Sequence, residues 1–181
     1  MNKNTVNPER INIIERGPLP LIGCVFYGDP FHSKGGWDVE NEIGLTWKRF
    51  MSLYEKNKDV IERYRVNTDT AYEVHIQPED YEETKKFYVY VGVEVKTLDE
   101  IPLEMFGKVF PQTMYAVFTF KGRDIFRGGK YIWQQWLPTS EYEEAYPYLI
   151  LAYDERFRGL DNEESEIDYH VPIRLKGGDN K

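Results

Sequence analysis

The chain has a single cysteine, Cys24, in 181 residues, so no disulfide forms within it and the fold rests on packing alone. Cys24 lies in the apolar run Leu19–Tyr27, the setting of a buried thiol that behaves as a small hydrophobe rather than a nucleophile. Histidine is scarce too. His32, His75 and His170 are far apart and lack the spacing of a zinc site, so no metal is expected. Basic residues are outnumbered, 23 against 31 acidic, for a net charge of −8. No Lys/Arg-rich run or helix-turn-helix pattern is present, and gripping phosphates needs a basic face, so direct nucleic-acid binding is not expected. No apolar run reaches the ~18 residues of a membrane span, and Met1–Arg10 has no signal-peptide core, which reads as a cytoplasmic protein away from membranes. Gly122–Lys130 has glycines and a lysine without phosphate-loop spacing, and no Gly-x-Ser-x-Gly elbow occurs. No cofactor is expected.

What the chain has in quantity is aromatic side chains: 14 Tyr, 10 Phe and 4 Trp. They fill cores and also line small-molecule pockets. The densest stretch, Tyr131–Phe157, carries Trp133 and Trp136 on a helical face, breaks at Pro138, continues as an apolar strand and closes on Asp154 and Glu155.

Read in order, residues 1–8 are polar and expected to be disordered, and 177–181 form a polar tail. One long interrupted strand is expected over Glu9–Tyr27. A Gly/Pro-rich loop with Phe31, His32 and Trp37 leads to a helix over Val39–Asn57, where Ile43, Trp47, Phe50, Met51 and Tyr54 recur at three- and four-residue spacing. From Thr70 the period becomes two. Tyr72, Val74 and Ile76 alternate with Glu73, His75 and Gln77, and after an acidic turn Phe87, Val89, Val91, Val93 and Val95 alternate with Tyr88, Tyr90, Gly92 and Glu94. This predicts a strand pair with one greasy face and one face holding Tyr88, Tyr90 and Glu94 together with Glu73 and His75. After a linker with Pro102, Gly107 and Pro111 the pattern repeats: a strand over Met114–Lys121, a helix near Ile125–Trp136, and strands over Tyr148–Tyr153 and Glu166–Leu175. The reading is an α+β domain over 9–176, built from two strand–helix–strand–strand repeats (about 9–96 and 110–176) with a mostly antiparallel sheet.

Isolated acids among aromatic rings form the combination that recognises lipophilic cations, the rings stacking and the acid neutralising charge. A sequestered acid can also act as a general acid.

Several stretches in this order resemble the GyrI-like, or effector-binding, domain family of AraC-type and multidrug-responsive regulators. They include Leu21–Gly28, Trp47-x-x-Phe50, Phe87–Val95, Phe110–Gly122, Trp133–Phe157 and Ser165–Ile173. The resemblance implies pseudo-two-fold symmetry, a ligand cleft between the halves, and binding of amphipathic, aromatic or cationic compounds by a stand-alone member without its own DNA-binding helices. It also implies a buried glutamate in the strand after the tryptophan helix. Here that stretch is Ile150-Leu151-Ala152-Tyr153-Asp154, so Leu151 stands at the acid's place and leaves Glu94 or Glu73 to supply the charge.

The expected ligand-binding residues are Trp37, Tyr90, Glu94, Tyr115, Trp133, Trp136 and Tyr153, with Glu94 the polar contact and the one catalytic candidate. The leading expectation is a small-molecule binding protein. The alternatives are a hydrolase of lipophilic electrophiles such as cyclopropane-bearing compounds, and a modulator that binds a protein partner such as gyrase or a regulator.

Overall fold

The structure, a computed structural model, describes residues 6–177. The disordered segment expected over 1–8 therefore lies outside the described residues as far as residue 5, and so does the polar tail after residue 177. Val6 is already buried. The chain divides into two compact units, named for their order along the chain: an inner one over Pro18–Pro111 and a flanking one that joins the described residues before Pro18 to those after Pro111.

The expected first strand is two strands, β1 (Arg10–Arg16) and β2 (Leu19–Gly28). Proline offers no N–H to a ladder and restricts the residue before it, so Gly17-Pro18 ends one ladder and Leu19 starts another. β1 pairs with a strand of the flanking unit, and β2 with strands of the inner unit.

In the inner unit β2 leads to helix α1 (Glu42–Lys56), then β3 (Ala71–Ile76), β4 (Phe87–Glu94) and an edge strand β5 (Phe106–Phe110) inside the expected linker. The antiparallel order is β3-β4-β2-β5. α1 starts three residues later than its apolar spacing suggests, because Asn41 caps it. The Asn41 side-chain oxygen accepts from the Gly44 N–H at 3.0 Å and its Nδ2 donates to the Gly36 carbonyl at 2.7 Å. The buried face of α1, with Phe50, Leu53 and Tyr54, lies on Ile22, Cys24, Val89 and Val91.

The flanking unit repeats the order. β6 (Thr113–Lys121) is followed by a helical run over Gly122–Thr139, then a short β7 (Tyr142–Glu144), β8 (Tyr148–Tyr153) and β9 (Glu166–Leu175). β6 lies between β1 and β9, and β8 and β7 both pair with β9. The helical run is composite: a 3₁₀ segment, one α turn over Gly128–Tyr131, a π-helical stretch over Ile132–Trp136 and a last turn holding Pro138. It packs over Phe118, Phe120, Ile167, Tyr169 and Val171. The fold is thus α+β, with two strand–helix–strand–strand repeats. No helix among the described residues is long and apolar enough to cross a membrane.

Two glycines set the spacing of the inner sheet. Gly23 on β2 faces Gly92 on β4, and a Cβ at Gly23 would run into the Val91 carbonyl and the Gly92 Cα. Replacing Gly23 with Ala is expected to cost about 1–3 kcal/mol through overpacking, read as a lower urea midpoint at unchanged slope.

Candidate functional site

Register decides which side chains share a face. β3 and β4 pair with Glu73 opposite Val91 and His75 opposite Val89. Directly opposed residues project to the same side of a sheet, so Glu73 and His75 lie on the helix-covered face with the valines. Tyr72 and Val74 lie on the other face, with Gly92 and Tyr90. The face expected to hold Glu73 and His75 together with Tyr88, Tyr90 and Glu94 does not form. A ten-residue connection with the short helix Tyr81–Thr84 joins the two strands. Through such a connection the alternation within each strand does not fix its parity against the other.

The consequence is a carboxylate inside an apolar face. Glu73 is 3% exposed and is the only buried carboxylate among the described residues. The Trp47 indole Nε1–H, from α1, donates to its Oε2 at 2.5 Å, and the Nε2 of His75 lies 2.7 Å from its Oε1. Burying a carboxylate costs several kcal/mol unless its oxygens are held, and each oxygen here has a named partner. Aromatic rings flank the pair. Trp47 meets Phe50 edge-on at 6.2 Å and the His75 ring lies 5.3 Å from Phe87, which Phe31 and Tyr81 approach from two further segments.

In the flanking unit, Trp133, Trp136 and Tyr153 come together around one core that includes Leu151. Trp136 stands perpendicular to Phe118 at 4.9 Å and stacks on Tyr142 at 6.0 Å, while Tyr153 meets Phe157 edge-on at 5.0 Å. The two tryptophans sit on the π-helical stretch, a rare geometry that occurs frequently at functional sites. Leu151 faces Tyr169, which faces Phe118. In the inner unit Glu73 faces Val91, which faces Cys24. Glu73 and Leu151 therefore hold equivalent places in the two repeats, a carboxylate in one and a hydrocarbon in the other.

The other four expected residues lie elsewhere. Tyr90 is buried with its hydroxyl within reach of the Leu21 carbonyl (3.0 Å) and the Phe106 carbonyl (2.5 Å), and burial pushes its phenol above the ordinary tyrosine range. Glu94, half-buried, accepts from the Tyr72 hydroxyl at 3.4 Å on the face away from α1. Trp37 is on the outer part of the loop before α1. Tyr115 is on the face of its sheet opposite the tryptophans, where its hydroxyl meets that of Tyr148 at 2.9 Å. On that face His170 is buried beside Tyr115, its Nδ1 without a hydrogen-bond partner among the described residues. Desolvation, then the nearby Arg16 charge, lowers its pKa to about 4, against the pull of Asp168.

Two such repeats, with aromatic clusters under their helices, are the frame of a small-molecule-binding domain. The chain belongs to the GyrI-like small-molecule-binding domain family, matched over residues 10–174, and is related to the effector-binding domains of transcription regulators. It is 26% identical over 163 residues to the transcriptional regulator BrlR of Pseudomonas aeruginosa, a match that covers 89% of this chain and 54% of BrlR. The chain thus spans about half the length of that relative. Among solved structures, SAV2435 bound to tetraphenylphosphonium superposes with a TM-score of 0.67 at 11% identity, over 91% of this chain and 94% of that one. EcmrR in its complex with DNA gives 0.64 at 12% identity, over 92% of this chain and 57% of EcmrR. At these identities the two structures establish the shared fold.

The buried His170 makes acid stability testable. Its folded pKa is below the ordinary value of about 6.5, so its contribution is fully present above that pH and is lost as pH falls through about 4. His170→Leu is expected to flatten the stability–pH curve between these limits, removing a fall on the order of 3 kcal/mol in urea titrations.

Proposed function

We propose that the chain binds lipophilic small molecules that pair an aromatic part with a positive charge, and that Glu73 is the counter-charge. The observation that carries this reading is a carboxylate 3% exposed, held by an indole and an imidazole under an aromatic helix face. Such an arrangement offers a cation neutralisation and ring contacts at once, and in a desolvated setting both are stronger than at the surface. Two further facts support it. The family is one of small-molecule-binding domains, and the structural neighbour SAV2435 is bound to tetraphenylphosphonium, a lipophilic cation. The relation to BrlR and EcmrR supports a ligand-sensing role in a regulatory setting.

The reading gives the two repeats different tasks. The inner one holds the charged contact. The flanking one, with Leu151 at the equivalent place, offers Trp133, Trp136 and Tyr153 to neutral aromatic surface.

Titrating tetraphenylphosphonium and a neutral aromatic of similar size, followed by tryptophan fluorescence and thermal shift, tests the assignment. Glu73→Gln keeps the shape and an acceptor and removes the charge. It is expected to weaken the cation at least about tenfold, a loss of ~1.4 kcal/mol, and to leave the neutral compound nearly unchanged. Equal affinity of both proteins for the cation would remove Glu73 from the site.

A further inference from the structure

A carboxylate 3% exposed is reached by a ligand only where something in front of it moves. Towards the middle of the sheet the helix-covered face is closed by Phe50, Val91 and Ile61, each at most 1% exposed. Towards the other end, the row Glu73, His75 and Phe87 leads outward to two surface segments. His75 retains 23% of its side-chain exposure, and beyond it Phe87 is met by Phe31 at 6.3 Å and edge-on by Tyr81 at 6.1 Å.

Phe31 is 41% exposed and rides on a short strap pinned at both ends. On one side Pro30 is buried and its carbonyl accepts from the Glu42 N–H at 3.2 Å. On the other the Gly36 carbonyl accepts from the Nδ2 of buried Asn41 at 2.7 Å. Between these pins residues 31–35 are held by exposed contacts. The Phe31 N–H donates to Asp29 Oδ1 at 3.0 Å, and Ser33 Oγ donates to Glu42 Oε1 at 2.6 Å. A Cβ at Gly35 would touch nothing, and Gly36 sits at φ +74°, a left-handed conformation that suits glycine at a hinge. On the facing segment Tyr81 already carries a cation over its ring, the Nζ of Lys85 at 5.4 Å from the centroid.

We propose that Phe31, Tyr81 and Phe87 form an aromatic portal to Glu73 that takes the flat part of a cationic ligand, and that the 31–35 strap opens and closes it through Phe31. This rests on Glu73 being the ligand's counter-charge. A single ring contact and exposed hydrogen bonds are weak, so an open strap is a minor but accessible state.

Exchange of the Trp47 indole N–H with solvent, followed by NMR in the ligand-free full chain, reads strap opening without any ligand, with the Trp133 and Trp136 indoles as references. Phe31→Ala removes the ring contact with Phe87, and Ser33→Ala removes one exposed hydrogen bond to Glu42. Each is expected to speed Trp47 exchange roughly tenfold and leave the reference indoles unchanged. In stopped-flow binding of tetraphenylphosphonium, Phe31→Ala is expected to raise both association and dissociation rates, and Tyr81→Ala to weaken binding several-fold. Unchanged Trp47 exchange in both variants overturns the strap, whatever the binding data show. Unaltered binding by Tyr81→Ala overturns the portal. A wild-type chain that binds no tetraphenylphosphonium overturns the counter-charge reading and the portal with it, while the exchange data still report on the strap separately.

Discussion

The contacts of Glu73 with the Trp47 indole and the His75 imidazole join α1 to β3 in the inner unit. A charged group among Val89, Val91 and Phe50 is tolerated only while both oxygens stay held, which ties α1 to β3 through Trp47 and fixes the His75 ring on the same strand. The cap at Asn41 sets where α1 begins and hence where Trp47 falls along the sheet. The facing glycines 23 and 92 let β2 and β4 close up at the level of Val91, the residue opposite Glu73. Register, cap and close approach therefore converge on one carboxylate.

The flanking unit uses the same frame with different chemistry. At the place equivalent to Glu73 it has Leu151, and the helical run above it gives up regular α geometry so that Trp133 and Trp136 pack on Phe118 and its neighbours. Polar groups appear on the opposite face of that sheet instead. There Tyr115 and Tyr148 share a hydrogen bond and His170 stays neutral under desolvation. A duplicated fold can hold its backbone constant and redistribute polarity, because each interior position needs only a side chain of suitable volume and satisfied hydrogen bonds.

Much of the fold was legible because periodicity is a local property. The three- and four-residue spacing of Ile43, Trp47 and Phe50 reports a helix, and the alternation along Phe87–Val95 a strand, whatever surrounds them. The repeated order of elements, and the aromatic grouping of Trp133, Trp136 and Tyr153, were visible in the same way. The edge strand β5 was hidden among Pro102, Gly107 and Pro111, since an edge strand tolerates turn-forming residues that an interior strand does not. The break at Gly17-Pro18 was visible as a proline. That it sends β1 and β2 to different units depends on partners more than ninety residues further along the chain for β1, as in the pairing of Ile13 with Ala116.

The site divides along the same line. Composition and resemblance pointed to a small-molecule-binding domain rich in aromatic rings, with Leu151 where the resemblance implies an acid. The tertiary structure decided which of the remaining acids is buried beneath a helix. Glu73 and Glu94 are alike as letters, each alternating with apolar neighbours, and only the pairing of β3 with β4 puts one under α1 and the other on the far face. A strand's alternation has two phases of equal local merit, and the choice between them is made by hydrogen bonds and packing between segments distant in the chain.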